Sequence, residues 1–256
     1  MNKNIKVSII TPSYNQGQFI EHTIKSVLNQ TYKNIEYIVV DGGSTDNTME
    51  IVDRYRDKID IVIHEKDKGQ SDAINKGFKL ATGTLLGWIN SDDVLYPDCV
   101  EKLVEKYNAE PDGAVYYNSK LDFIDSKGNY LKTWNFKIPS RKHLLKTHYF
   151  VIQPTSFYSK EILDKINYLD EDLYYCMDLD LWLRLLEYKP IIEVGNTALG
   201  ALRDWEETKS NTGNVKFLTD IRKTLLKHGA NIWDKSVLKT YKESLKFYAP
   251  WLFKRK

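Results

Sequence analysis

Several stretches of this sequence set acid, amide and hydroxyl side chains directly after apolar runs, where a fold would present them to a ligand. Asn90-Ser91-Asp92-Asp93 closes the run Thr84–Asn90 (TLLGWIN) and places two carboxylates side by side. Like charges so close are costly unless a cation or good donors relieve them, and such oxygen ligands suit Mg²⁺ or Mn²⁺ completed by substrate phosphates. An isolated SDD is also what a solvated turn, or the N-cap of a helix after Pro97, would carry. Asp41 ends IEYIVVD ahead of Gly42-Gly43. Its carboxylate could meet a nucleobase or ribose, or simply form the turn, and the diglycine is not a GxGxxG fingerprint. Thr11-Pro12-Ser13-Tyr14-Asn15 offers hydroxyls, backbone amides and one aromatic face for a base, residue types that an ordinary loop shares. Asp67-Lys68-Gly69-Gln70-Ser71-Asp72 precedes a helix with Asn75 and Lys76, and a helix N-terminus with a nearby Lys suits a diphosphate. The coincidence of four such loops favours a ligand site over four unrelated turns.

The elements that must position these loops are legible as periodicity. Short β-branched runs alternate with longer amphipathic ones through the first ninety residues, the pattern of repeated βα units on a parallel sheet. Strands are expected at Lys6–Thr11, Ile35–Asp41, Asp60–Glu65 and Thr84–Asn90, with helices from near Gln18, after Asp46 and over Ser71–Leu80. The loops named above then lie at strand carboxyl ends, where open α/β sheets gather ligands. Beyond Pro97 the pattern is mixed. A helix to about Asn108, strands at Ala114–Ser119 and Tyr130–Phe136 around a Gly128 turn, helices at Ile162–Lys165 and Asp178–Leu186, and a strand at Ile191–Val194 are expected. Tail helices follow at Asn214–His228 and Lys235–Tyr248. The fold class is α/β, a mostly parallel central sheet flanked by helices, with a helical C-terminal tail.

Composition narrows the function. With 256 residues, 42% of them apolar, the chain can bury a real core, and a net charge of +2 does not suggest nucleic acid as a partner. Cys99 and Cys176 lack disulfide-framework or zinc spacing, which fits a reducing, cytoplasmic setting. No secretory signal and no membrane-spanning run is read in the sequence. From Lys235 to Lys256, seven Lys or Arg stand against one Glu, a local +6 that leaves −4 for the rest. Val237, Leu238, Tyr241, Leu245 and Tyr248 share a helical face there, and Tyr248-Ala249-Pro250-Trp251-Leu252-Phe253 precedes Lys254-Arg255-Lys256. That composition suits peripheral contact with the inner face of an anionic membrane, or equally a helix packed on its own domain.

The motifs KVSIITPSYNQGQFIEHTIKSVLNQTY, IEYIVVDGGSTDNT, EKDKGQSDAINKGFKLATGTLLGWINSDD, QPTSF and YYCMDLDLWLRL run from about Lys6 to Leu186. In order and spacing the chain resembles inverting, nucleotide-sugar-dependent glycosyltransferases of family two, and among them bacterial enzymes that build O-antigen, capsule or exopolysaccharide. The resemblance implies a GT-A, Rossmann-like fold over 1–205, with a nucleotide-binding half (1–93) and an acceptor half (94–205), followed by an extension over 206–256.

It also implies roles. Thr11, Ser13 and Tyr14 would border the nucleotide, Asp41 would bind the base, and Asp72 and Lys76 would line the diphosphate side. Pro12, Gln70, Asn90 and Ser91 in the same loops are counted with them. Asp92 would touch ribose, Asp93 would hold the metal, and Asp178 would be the general base that deprotonates an acceptor hydroxyl as it attacks C1. Asp180, two residues on, would diverge into a cap or ion pair. Gln153 would shape the sugar or acceptor pocket, and Trp182 would line a pyranose or belong to the core. The partners are then a nucleotide-sugar donor, with UDP favoured because Asp41 and its companions resemble a uracil site, and a glycan or lipid-linked acceptor.

One departure stands out. Where relatives commonly carry Arg-x-His with a metal-binding His, this chain has Arg203-Asp204-Trp205, so Asp204, Glu206 or water would supply the missing ligand, or metal dependence would be weak. His143 and His148 have no assigned place. Two rivals remain at this level: a sugar-phosphate nucleotidyltransferase, which would want a basic glycine-rich loop where Thr11–Gly17 has no Lys or Arg, and a nucleotide-sugar-binding protein with a decayed site.

Overall fold

Apolar side chains alternate between the two faces of the first strands and so give each face its own core. The computed structural model describes residues 4–206, 208 and 213–248. Strand β1 (Val7–Ser13) is buried throughout and pairs in parallel with β2 (Ile35–Asp41), Val7 opposite Ile35 and Ser13 opposite Asp41. Val7, Ile9, Tyr37 and Val39 enter one core, while Ile10, Ile38 and Val40 enter the other. This period of two is what a sheet covered on both sides requires. Outside β2 lies β3 (Ile61–His64), and on the other flank of β1 lies β4 (Leu85–Trp88), both parallel to their neighbours.

Three helices connect and cover these strands: α1 (Ile20–Leu28), the short α2 (Thr48–Asp53) and α3 (Gln70–Leu80). A Cβ on Gly77 of α3 would lie 2.6 Å from the Ile10 side chain, so the missing side chain is what lets α3 lie this close to β1. After β5 (Val94–Leu95) and α4 (Cys99–Ala109), strand β6 (Val115–Tyr117) rejoins the large sheet. The hairpin β7 (Lys120–Ile124) and β8 (Tyr130–Asn135) follows, then α5 (Arg141–Lys146), β9 (Phe157–Ser159) and α6 (Lys160–Lys165). Helix α7 (Met177–Leu185), β10 (Ile191–Glu193) and β11 (Gly200–Arg203) complete the sheets, and α8 (Asn214–Lys227) and α9 (Lys235–Tyr248) form the described tail.

The large sheet runs β10-β6-β9-β4-β1-β2-β3, parallel except for β9, which is antiparallel to both β4 and β6. A second sheet, β5-β11-β7-β8, was not expected from the sequence and corrects the reading of one hairpin. The strand paired with β8 across Gly128 (φ +87°) is Lys120–Ile124, not Ala114–Ser119. The reason is burial: β6 is enclosed on both faces and belongs inside the large sheet, whereas β8 is exposed along its length and pairs with a strand that is only half covered. The tail helices match their expected spans, but α9 turns Ser236, Val237, Thr240 and Ser244 inward, so of the expected apolar face only Val237 is buried. The tail motif from Ala249 onward lies outside the described residues.

Candidate active site

Strands β1 and β4 deliver their C-terminal residues to one cavity of about 730 Å³. Pro12, Ser13 and Tyr14 border it from β1, Gln70 from the start of α3, and Asn90, Ser91, Asp92 and Asp93 from the turn after β4. The second half of the chain adds Gln153, Asp178 and Arg203. A further stretch of wall is aromatic, with Phe123, Trp134, Phe136 and Phe150 from the small sheet and the segment after α5, and Phe217 from α8.

The acids after β4 are held by a chain of amides and one arginine. Gln70 Nε2 donates to Asn90 Oδ1 at 2.8 Å, and Asn90 Nδ2 lies 3.2 Å from both Asp93 Oδ2 and Gln153 Oε1. Gln153 Nε2 donates to the Trp88 carbonyl at 2.7 Å, tying this network back to β4. From β11, the Arg203 backbone N–H donates to Asp93 Oδ1 at 2.9 Å and its Nε donates to the Asp92 carbonyl at 2.8 Å. The same guanidinium donates to the Asp125 carbonyl at 2.8 Å and stacks over Phe19 at 4.7 Å. Its planar fork of donors makes this several-point grip possible, which Lys could not reproduce. Burial and the neighbouring Asp92 charge push the Asp93 carboxyl well above the ordinary range, and burial raises Asp92 as well.

These two acids fit a hard divalent cation. They are adjacent, they line the cavity, and their raised protonation ranges mark a place where positive charge would relieve repulsion and desolvation. Trp205 supplies no third ligand: its Nε1 donates to Asp92 Oδ2 at 3.0 Å, and an indole N–H is a donor only. Asp204 lies 4.0 Å from Lys132 and off the cavity wall, and Glu206 is exposed in the turn beyond. His148 sits beside Phe136 and Phe150, where burial and Lys239 push it down to about 4, and neither it nor His143 lines the cavity. Among the described residues no group of three His, Cys, Asp or Glu could hold a metal. An ion at Asp92 and Asp93 would therefore draw its remaining ligands from a diphosphate and water.

Helix α7 separates its two acids. Cys176 precedes it in the left-handed region at φ 52°, and the first turn places Asp178 on the cavity wall, its Oδ1 accepting the Leu179 N–H at 2.8 Å. Asp180 points the other way and is wholly buried. It accepts from Arg184 Nε at 2.7 Å, His228 Nε2 at 2.8 Å and Lys227 Nζ at 3.3 Å. Burial alone would raise this carboxyl, but His228, Arg184 and Lys227 hold it far below the usual range. Asp180 is thus a structural anchor that fastens the helix carrying Asp178 to the tail.

Five other expected site residues stand behind the cavity wall. The Thr11 hydroxyl is 3.1 Å from the Tyr37 hydroxyl. Asp41 is fully buried and accepts from the Gly43 and Ser44 amides and from His64 Nδ1. Asp72 accepts the Lys68 N–H, and Lys76 bridges Glu65 at 2.8 Å and Asp72 at 3.4 Å, which takes its ammonium away from the diphosphate role expected of it. Trp182 is core, not pocket: it is entirely buried, its Nε1 donates to the Tyr158 hydroxyl at 3.2 Å, and its ring meets Tyr117 edge-on at 5.7 Å. Arg203 and the aromatic wall are the main additions. The signal for Arg203 was a charged residue ending an apolar strand, GALR.

A mixed α/β fold whose strand ends present paired acids to one cavity is the arrangement in which open α/β sheets gather ligands. Residues 8–167 match the Glycosyl transferase family 2 model, and the chain belongs to that family. It is 30% identical over 259 residues to an uncharacterized glycosyltransferase of Rickettsia prowazekii, covering 86% of this chain and 75% of that protein. It is also 29% identical over 205 residues to the chondroitin synthase of Escherichia coli, covering 79% of this chain and 29% of that longer protein. Among solved structures, Staphylococcus aureus TarS (residues 1–349, in complex with UDP-GlcNAc) superposes with a TM-score of 0.69 at 18% identity, over 95% of this chain and 71% of that one. The mannosyltransferase PcManGT of Pyrobaculum calidifontis, in complex with GDP-Man and Mn²⁺, superposes at 0.62 and 17% identity, over 96% and 71%. Both share the GT-A fold with this chain.

Proposed function

We propose that this glycosyltransferase moves a sugar from a UDP-sugar to a hydroxyl of a glycan or lipid-linked saccharide, with inversion, in the assembly of a bacterial surface polysaccharide. The observation that carries this reading is the placement of Asp178 on the same cavity as the Arg203-gripped pair Asp92 and Asp93. One cavity then holds a base on one element and a diphosphate-and-cation locus on another, which a direct displacement at the sugar C1 needs. Asp178 accepts the proton of the acceptor hydroxyl as its oxygen bonds to C1. The bond from C1 to the diphosphate oxygen breaks on the opposite face, and the leaving group carries off the electron pair. Held by Asp93 and Asp92, Mn²⁺ or Mg²⁺ would neutralise charge on the leaving diphosphate.

Tyr14 is exposed on the rim and suits stacking on a base. Ser13 Oγ and Trp88 Nε1 are buried on the cavity wall without a hydrogen-bond partner, which suits a ligand rich in hydroxyls. The aromatic wall suits the apolar face of an acceptor sugar. The solved UDP-GlcNAc complex of TarS supports a uridine donor as the first to try.

Calorimetric titration with UDP and with GDP, in Mn²⁺ and then in EDTA, tests this reading. UDP binding that Mn²⁺ strengthens and Asp93→Ala abolishes is expected, and no binding of either nucleotide under both conditions contradicts it. A second reading, a nucleotide-sugar-binding protein without transferase activity, is favoured only by Trp205 occupying the place of a ligand. It predicts UDP binding without release of UDP from any donor.

A further inference from the structure

Helix α9 is built with its apolar stripe turned outward. Its inward face is small and polar: Ser236, Val237, Thr240 and Ser244 are buried against α5 and α8, and Ser236 Oγ donates to the Leu145 carbonyl. Leu238, Tyr241, Leu245 and Tyr248 fall on the neighbouring face and are 43%, 47%, 50% and 73% exposed. Helical spacing puts Lys235, Lys242 and Lys246 in the next row, and all three are exposed. The turn that leads into the helix exposes Ile232 and Trp233 as well. So much exposed apolar surface in one short segment marks an interaction site and is not an ordinary scatter of surface residues.

The charge row decides the occupant. A second copy seated antiparallel on the stripe about a twofold axis would bring two lysine rows together, in a stretch whose balance from Lys235 to Lys256 is already +6. An anionic lipid surface satisfies both rows at once, with leucine and tyrosine side chains entering the acyl boundary and lysines meeting the headgroups. The residues that follow in sequence, Trp251-Leu252-Phe253 and Lys254-Arg255-Lys256, repeat the same chemistry. No helix among the described residues is long and apolar enough to cross a membrane.

We infer that α9 docks this protein on an anionic bilayer through the Leu238–Tyr241–Leu245–Tyr248 stripe and its flanking lysines. The helix also touches the cavity wall. Lys239 Nζ donates to His148 Nε2 at 2.8 Å and lies 4.8 Å over the Phe150 ring, which itself lines the cavity. Docking through α9 therefore places lipid next to the element that shapes the aromatic wall. The docking itself stands apart from the transfer reading, because it needs neither donor nor acceptor.

Co-sedimentation of the full chain with phosphatidylglycerol–phosphatidylcholine vesicles, and with pure phosphatidylcholine vesicles, tests the inference. Binding to the anionic vesicles alone, weakened by added salt, is expected. Two triple variants, Leu238→Ser/Tyr241→Ser/Leu245→Ser and Lys235→Glu/Lys242→Glu/Lys246→Glu, each lower that binding by about tenfold or more. Tyr241 stacks under Arg222 at 4.2 Å and Lys246 pairs with Glu243 at 2.6 Å, so both variants are compared with the parent well below their own thermal midpoints, where each is folded. Absence of binding to anionic vesicles, or variants that bind as the parent does, overturns the inference. A parent that ignores vesicles but sediments as a dimer, made monomeric by the serine variant, assigns the stripe to a second copy and overturns it equally.

Discussion

The backbone N–H of Arg203 donates to Asp93 Oδ1 at 2.9 Å across 110 residues of sequence, joining the end of the small sheet to the acids beyond the large one. The same residue's side chain is 1% exposed and donates to the carbonyls of Asp92 and Asp125. The geometry of the acid pair is thus set in part by β11 and the residues after it, of which Trp205 and Thr208 also line the cavity.

Arg203→Met removes the side-chain donors, leaves the backbone N–H bond to Asp93 in place and keeps most of the volume. The Asp92 carbonyl loses its partner while the Asp125 carbonyl still accepts the Gly128 N–H at 3.0 Å, so a loss of about 1–3 kcal/mol is expected in urea unfolding. Arg203→Lys restores the charge but not the fork and recovers only part of that loss. An unfolding midpoint equal to the parent's in Arg203→Met would show that the grip contributes nothing.

Asp180→Ala leaves Arg184 and His228 without their buried acceptor and is expected to cost about 3–5 kcal/mol. The pH dependence has a definite sign. The folded carboxyl lies far below its unfolded range, so its contribution is complete above about pH 4, the ordinary value for a free Asp, and fades as pH falls toward the folded one. The stability gap between the parent and Asp180→Asn should narrow once the pH drops below about 4. A gap that stays constant to pH 2 would mean the carboxylate's charge is irrelevant there.

Gln153→Leu breaks the amide chain at its centre. It removes the donor to the Trp88 carbonyl and the acceptor for Asn90, whose amide also reaches Asp93. Stability falls by about 1–3 kcal/mol, and the donor KM rises more than kcat falls, because the residue orients the acid turn and takes no part in the proton transfer. An unchanged KM with a large loss of kcat would move Gln153 into the chemical step.

The first half of the fold is legible in the sequence because its signals are local. TLLGWIN reads as a buried strand, and a strand of that kind must release Ser91-Asp92-Asp93 at its carboxyl end. The small sheet is not legible for the opposite reason. β5 is two residues long, β8 is exposed throughout, and β11 pairs with strands about 75 or more residues away, so no short window contains the pattern.

At the site, residue type is visible but direction is not. Asp178 and Asp180 carry identical side chains two positions apart, which makes them diverge, but that His228 is a partner of Asp180 is seen only in the packing of α8 against α7. Lys76 has the right charge for a diphosphate, yet Glu65 and Asp72 lie closer to hand. Trp182 has the right ring for a sugar, yet the spacing of Leu181 and Leu185 around it belongs to the core that encloses it.

Asp178→Asn, assayed for UDP release from a UDP-sugar in the presence of an acceptor and for UDP affinity by calorimetry, tests the central claim most directly. A general base contributes about 10²–10⁴-fold, so kcat is expected to fall by that factor while the Kd for UDP stays within about twofold of the parent. Near-parental turnover with the same affinity would contradict the assignment of Asp178 as the base.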